Sequence, residues 1–157
     1  MEKLYFEIFF KKSIEYYIDK VEKFEKGKRI SFNLPAFLFG IFWILYRKMY
    51  KQSLLIFGII LIFTTAQQIL FLKLNYSIEL NKLIQFSINI TLCFFVGFFG
   101  NWIYIKHAKK KINEALTKFD SDEILKKKYI AKTSGTSILT VISVLFCFIL
   151  IMYLSEK

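Results

Sequence analysis

The chain has 157 residues, 55% of them hydrophobic and 19% aromatic, with one proline, two cysteines and a formal charge of +11, and its mean hydropathy is +0.44. A soluble domain of this size cannot hide that much apolar surface, because soluble helices keep a polar stripe toward water. The basic excess does not make it a nucleic-acid binder either: no recognition module is legible, and membrane topology accounts for most of the lysines.

In chain order, residues 1–33 carry eight Lys or Arg against six Asp or Glu. The apolar run at 4–10 contains Glu7 and is followed by lysines, so it lacks the form of a secretory signal and nothing is expected to be removed. From 13 to 26, Ile14, Tyr17, Ile18, Val21 and Phe24 recur at three- and four-residue spacing opposite a face of mixed charge. This predicts an amphipathic helix, with Ser13 as N-cap and Gly27 as its stop. The mixed-sign face favours packing on the protein's own surface over binding lipid.

The apolar run at 34–46 would rise only about 20 Å as a helix, too little for a comfortable span. Crossing there would also carry the eight preceding basic residues over the membrane, against the charge bias. Residues 34–50 are therefore expected to form an interfacial or re-entrant helix, capped by Asn33 with Pro35 in its first turn. Trp43, Tyr46 and Tyr50 are expected at the headgroup boundary, where Arg47 and Lys48 reach lipid phosphates.

Three stretches carry no charge at all, at 54–72, 83–105 and 137–154. As helices they measure about 28, 34 and 27 Å against a hydrocarbon slab of about 30 Å, so each can span. Trp102 and Tyr104 close the second stretch at the same headgroup level as the 43–50 group. The loop 106–136 holds nine lysines against four acidic residues, with triplets at 109–111 and 126–128. Ile103, Ala108, Ile112, Ala115, Leu116 and Phe119 predict that the second span continues as a helix, breaks near Asp120 and restarts at Asp122 as N-cap. With three spans, twenty of the twenty-three basic residues share one side. That side is expected to be the cytoplasm, placing the N-terminus inside and the C-terminus outside an inner membrane.

The expected architecture is thus an all-α integral membrane protein: one membrane domain with three transmembrane helices, a short interfacial or re-entrant helix, and amphipathic cytoplasmic helices. Its expected partners are the lipid bilayer and anionic phospholipid headgroups, since juxtamembrane lysines attract them by about 1 kcal/mol each, together with a larger membrane protein or a second copy of the chain. No nucleic acid and no cofactor is expected. His107 stands beside lysines, and Cys93 and Cys147 lie inside predicted spans without metal-ligand spacing. Polar residues inside the spans, Gln67, Gln68, Asn89 and Asn101 among them, read first as helix-to-helix hydrogen bonding. Gly97 and Gly100, or Ser87 and Thr91, are candidate packing faces.

The segment from Ser31 through Asn33, Leu34, Pro35, Ala36 and Phe37, followed by Trp43-Ile44-Leu45-Tyr46-Arg47-Lys48-Met49-Tyr50, resembles the signature of the bacterial family called domain of unknown function 2628. The likeness extends to Tyr16-Tyr17, to Gly100-Asn101-Trp102-Ile103-Tyr104 and to Ser134-Gly135. Leu34 and Pro35 stand where the family usually has Trp-Ala, Ile41 where a proline is frequent, and Ser134 where the first of two glycines is usual. The resemblance implies a small membrane protein without an assigned activity. Together with the residues it leaves a non-enzymatic scaffold, accessory or regulatory subunit as the leading expectation. A pore-forming, holin-like or transport oligomer is the second, using Gln67, Gln68, Asn89 and Asn101 on a wetted surface. A lipid-modifying enzyme is the third, with only His107, Glu114 or Asp120 placed for acid-base work.

Overall fold

A computed structural model describes residues 2–155 as seven helices: α1 (Glu2–Phe10), α2 (Ile14–Glu25), α3 (Leu34–Tyr46), α4 (Tyr50–Leu74), α5 (Ile78–Lys118), α6 (Glu123–Thr133) and α7 (Ile138–Ser155). Three helices, one each in the ranges Tyr50–Leu74, Ile78–Lys118 and Glu123–Ser155, are long and apolar enough to cross a membrane. The protein is an all-α membrane protein. At 41 residues α5 is about 61 Å long, twice the hydrocarbon thickness, so one end must stand out of the bilayer. Its charge pattern says which end: Lys82 stands alone near the start, whereas five lysines follow from Lys106 onward.

That protruding end is the axis of a helical cap. Ile105, Ala108, Ile112 and Ala115 recur at three- and four-residue spacing and are buried, and α1, α2 and α6 pack around them. The first of these helices is the main departure from the sequence reading, which resolved only one helix in residues 1–33. Tyr5, Phe6, Phe9 and Phe10 of α1 are all buried. They occupy one helical face at i, i+1, i+4 and i+5, the spacing of a core stripe. The turn after α1 is so tight that Lys11 and Ser13 both take positive φ, 49° and 60°. Ser13 takes the N-cap position as expected, its carbonyl accepting from Tyr17 N–H at 3.1 Å, but with its left-handed backbone the side chain makes no cap hydrogen bond. Gly27 ends α2 as expected. With φ 85° it closes a paired arrangement in which Lys28 N–H donates to Lys23 O at 2.9 Å and Gly27 N–H to Phe24 O at 3.0 Å. Tyr17 and Val21 of α2 are buried against the protein, not turned to lipid.

The membrane base is more open. α4 turns into α5 through Asn75 at φ 46°, where Gln67 Nε2 donates to Asn81 Oδ1 at 2.8 Å. At the opposite end the spans converge: Tyr50 and Thr140 hydroxyls meet at 3.2 Å, Gln52 meets His107 Nδ1 at 3.3 Å, and Ser137 N–H donates to Tyr46 O at 2.9 Å. α3 lies at this converging end. It packs on α5 from Gly97 to Tyr104, is kinked at Gly40 (φ 49°, ψ −121°), and at 13 residues reaches only about 20 Å, short of a fourth span. Gly97 and Gly100 make the approach possible: a Cβ on Gly97 would sit 2.8 Å from Phe37 Cβ, and one on Gly100 3.0 Å from Ala36 Cβ. The alternative pair does no such work, because Ser87 and Thr91 are exposed and turn their hydroxyls back onto Leu83 O and Ser87 O of their own helix.

Candidate functional site

The converging end is built on two polar arrangements that anchor α3 to its neighbours. The first starts at Asn33. Its Oδ1 accepts from Ala36 N–H at 3.0 Å, capping α3 as the sequence predicts with Pro35 in the first turn. The same side chain donates from Nδ2 to Asn101 Oδ1 of α5 at 2.7 Å. Asn101 in turn donates to Tyr16 Oη at 2.8 Å and Ser31 Oγ at 2.9 Å, and Asn33 N–H donates to Gly97 O at 2.8 Å. Asn33 and Asn101 are 3% and 1% exposed. In an apolar setting each bond here fixes position as much as it stabilises, because an unmet partner keeps its full desolvation cost.

The second arrangement surrounds Arg47. The chain leaves α3 through Lys48 at φ 58°, with Lys48 N–H on Leu45 O and Met49 N–H on Ile44 O at 2.9 and 3.1 Å. This reversal turns Arg47 inward. It is 8% exposed, and its guanidinium carbon lies 4.8 Å from the Tyr17 ring, 5.0 Å from Tyr104 and 5.9 Å from Trp43. Nη2 donates to Tyr17 Oη at 3.0 Å. Nε and Nη1 are buried without a hydrogen-bond partner, and among the described residues no carboxylate pairs with the charge. Three aromatic faces compensate a desolvated cation in part, by about 2 kcal/mol or more for a favourable pair. They do not supply the acceptors that two idle N–H groups need.

A cavity of about 720 Å³ opens beside this cage, between α2, α3 and the start of α7. Arg47, Tyr17, Trp43 and Tyr46 belong to its wall together with Leu34, Phe39, Phe42, Ile138 and Val141.

The residues expected to anchor the protein in the headgroup layer therefore divide. Tyr50 is exposed, while Tyr46, Lys48 and Trp102 are half-buried. Lys106 stacks over the Trp102 ring at 4.0 Å. Trp43, Arg47 and Tyr104, at 5%, 8% and 0% exposure, are enclosed by protein. Tyr17 from α2 stands against Arg47 and Tyr104, and Phe9 and Phe10 from α1 stand against Tyr104, so Arg47 and Trp43 lie in the cavity wall and not on open surface. The lysine triplets divide too. Lys109 pairs with Glu25 at 2.9 Å, Lys111 with Glu114 at 2.6 Å and Lys126 with Glu123 at 3.0 Å, whereas Lys106, Lys110, Lys118, Lys127 and Lys128 are exposed. Asp122 caps α6 from Oδ1 to Leu125 N–H at 2.9 Å, as predicted.

His107 is 8% exposed. Burial, with Lys111 second, pushes its imidazole down to about 4. Among the described residues no group of three His, Cys, Asp or Glu side chains is placed to hold a metal. Of the four residues singled out for a pore, Gln67 is bound to Asn81 and Asn101 to Asn33, some twenty residues or about 30 Å apart along α5, while Gln68 and Asn89 are exposed. Sequence reasoning missed Tyr16, Tyr17 and Ser31 as members of the site. The available signals were the family likeness, which covers Ser31 and Tyr16-Tyr17, and the place of Tyr17 in the apolar stripe of α2.

Neither the curated proteins nor the solved structures contain a match to the chain. One family model does match, over residues 10–110, a stretch that includes Asn33, Arg47, Asn101, Tyr104 and His107 and leaves out α6 and α7. With well over half its length covered by that model, the chain belongs to the family described as "Protein of unknown function (DUF2628)".

Proposed function

We propose that the protein is a non-enzymatic membrane scaffold or accessory subunit whose basic cap rests on the anionic cytoplasmic leaflet and offers that face to lipid or to a larger membrane partner. The observation that carries this reading is the distribution of charge at the converging end. The carboxylates Glu25, Glu114 and Glu123 are held in ion pairs, while Lys106, Lys110, Lys118, Lys127 and Lys128 stay exposed on the cap. Such lysines contribute about 1 kcal/mol each near an anionic surface, so five of them give a diffuse preference for anionic lipid. Lys110→Glu, Lys127→Glu and Lys128→Glu together are expected to abolish the enrichment of phosphatidylglycerol over phosphatidylcholine in the lipid shell that copurifies with the protein from mixed vesicles. An unchanged enrichment refutes the reading.

A further inference from the structure

The buried cation and the cavity beside it make sense together. Arg47 presents two idle N–H donors and an unneutralised charge inside the fold, which is costly unless an acceptor arrives. A phosphate fits that need, because its charged oxygens are strong acceptors for guanidinium N–H groups and neutralise the cation. The rest of the wall says what the phosphate is attached to. Leu34, Phe39 and Ile138 are 56%, 61% and 59% exposed and line the cavity with Phe42 and Val141, so an apolar trough leads from the cage outward at the level where α7 begins. The Tyr46 hydroxyl in the same wall is met first by Thr136 and then by Lys12. A soluble anion would leave this trough wet, whereas an acyl chain fills it. The volume of about 720 Å³ falls within the roughly 300–1,000 Å³ of ordinary ligand sites.

We infer that the cavity between α2, α3 and α7 is a specific site for one anionic phospholipid of the surrounding leaflet, its phosphate on Arg47 and an acyl chain along Leu34, Phe42 and Val141. This deepens the proposed function, resting on its anionic-lipid face, but it concerns a single enclosed lipid and not the diffuse shell drawn by the lysines.

Trp43 is in the wall and Trp102 is the one other tryptophan, so a Trp102→Phe background isolates a reporter. The full chain is placed in phosphatidylcholine bilayers doped with either phosphatidylglycerol or phosphatidylcholine brominated on the acyl chain, and quenching of Trp43 is titrated. Phosphatidylglycerol is expected to quench at about tenfold lower content, because its phosphate charge is uncompensated whereas that of phosphatidylcholine is already neutralised by its own choline cation. Arg47→Gln is expected to erase that preference, and Val141→Phe, which fills the trough and leaves Arg47 in place, to do the same. The Lys110, Lys127 and Lys128 triple variant is expected to retain it. Equal quenching by both lipids, or a preference surviving Val141→Phe, overturns the site; that second variant decides the matter if Arg47→Gln does not fold. Displacement of brominated phosphatidylglycerol by inorganic phosphate would overturn it in favour of a soluble anion. Loss of the preference in the lysine variant would overturn it while supporting the diffuse reading, so the two proposals fail separately.

Discussion

Replacing Asn101 by alanine tests whether the polar junction holds α3 against α5. The side chain accepts from Asn33 at 2.7 Å and donates to Tyr16 and Ser31 at 2.8 and 2.9 Å. Tyr16 is 39% exposed and Ser31 half-buried, so water can take over those two bonds at a net loss of a few tenths of a kcal/mol up to about 1. Asn33, at 3% exposed, stands in a cavity wall made mainly of apolar side chains, and its orphaned amide keeps a desolvation cost of about 1–3 kcal/mol. Asn101→Ala should therefore destabilise by about 2–3 kcal/mol. Asn33→Ala should lose a similar amount, about 1 kcal/mol from the helix cap and the remainder from the shared bond. Because the two variants remove the same bond, the double variant should cost about 1–2 kcal/mol less than the sum. Reversible unfolding by dodecyl sulfate in mixed micelles, followed by tryptophan fluorescence, measures all three. A cost near 0.6 kcal/mol for each, the average for hydrogen bonds between membrane helices, with additivity within about 0.5 kcal/mol, would refute the junction as a unit.

Gly97→Val should destabilise by about 1–3 kcal/mol through overpacking, since even its Cβ would lie 2.8 Å from Phe37 Cβ and 3.1 Å from Phe32 Cε2. Gly58→Ala on α4 meets nothing within 4 Å and should leave the melting temperature in detergent unchanged or raised. The depressed imidazole of His107 predicts a pH effect with a definite sign. Burial holds the folded value at about 4 against an ordinary 6.5, so between these values the unfolded chain binds the extra proton and stability falls as pH drops. Stability from this group is complete above pH about 6.5; melting at pH 7.5 and pH 5 should differ in the parent, and the difference should shrink in His107→Asn, with an equal difference in both counting against the assignment.

Much of this architecture was legible because its causes are local. Charge-free runs mark spans by length alone, Asn33 with Pro35 and Asp122 mark helix starts through their own side chains, and the 3.6-residue stripe from Ile14 to Phe24 marks a buried face. The cage was not legible. Trp43, Tyr46 and Arg47 in one short stretch have the composition of a headgroup anchor, and composition does not say whether Tyr17 and Tyr104, from helices remote in sequence, fold over the cation. α1 escaped for a related reason: nine residues are too few to show a helical period by themselves, and only α5 and α6 provide the surface that buries Phe9 and Phe10. Gly97 and Gly100 showed only that a close approach was possible. The partner, Ala36 and Phe37, lies on a helix whose tilt the sequence leaves open.

The uneven burial follows from the solvent each part meets. The cap folds in water, and its aromatic core of Tyr5, Phe6, Phe9, Phe10 and Tyr17 is closed on all sides. α7 buries no residue among those described, and α4 buries only Ser53, Ile56 and Gln67. Lipid tails are as apolar as leucine, so hiding these faces would gain nothing, and helices in a bilayer associate through close packing and polar contacts instead. That is where the specific contacts of the base are found: two glycines under α3, the Asn33–Asn101 bond, Gln67 on Asn81, and the Ser137 amide on Tyr46. Exchanges among Leu, Ile and Phe along α7 should accordingly leave the fold intact while hydropathy is kept, whereas single-atom changes at these few polar and glycine positions alter how α3 sits, and with it the shape of the cavity beside Arg47.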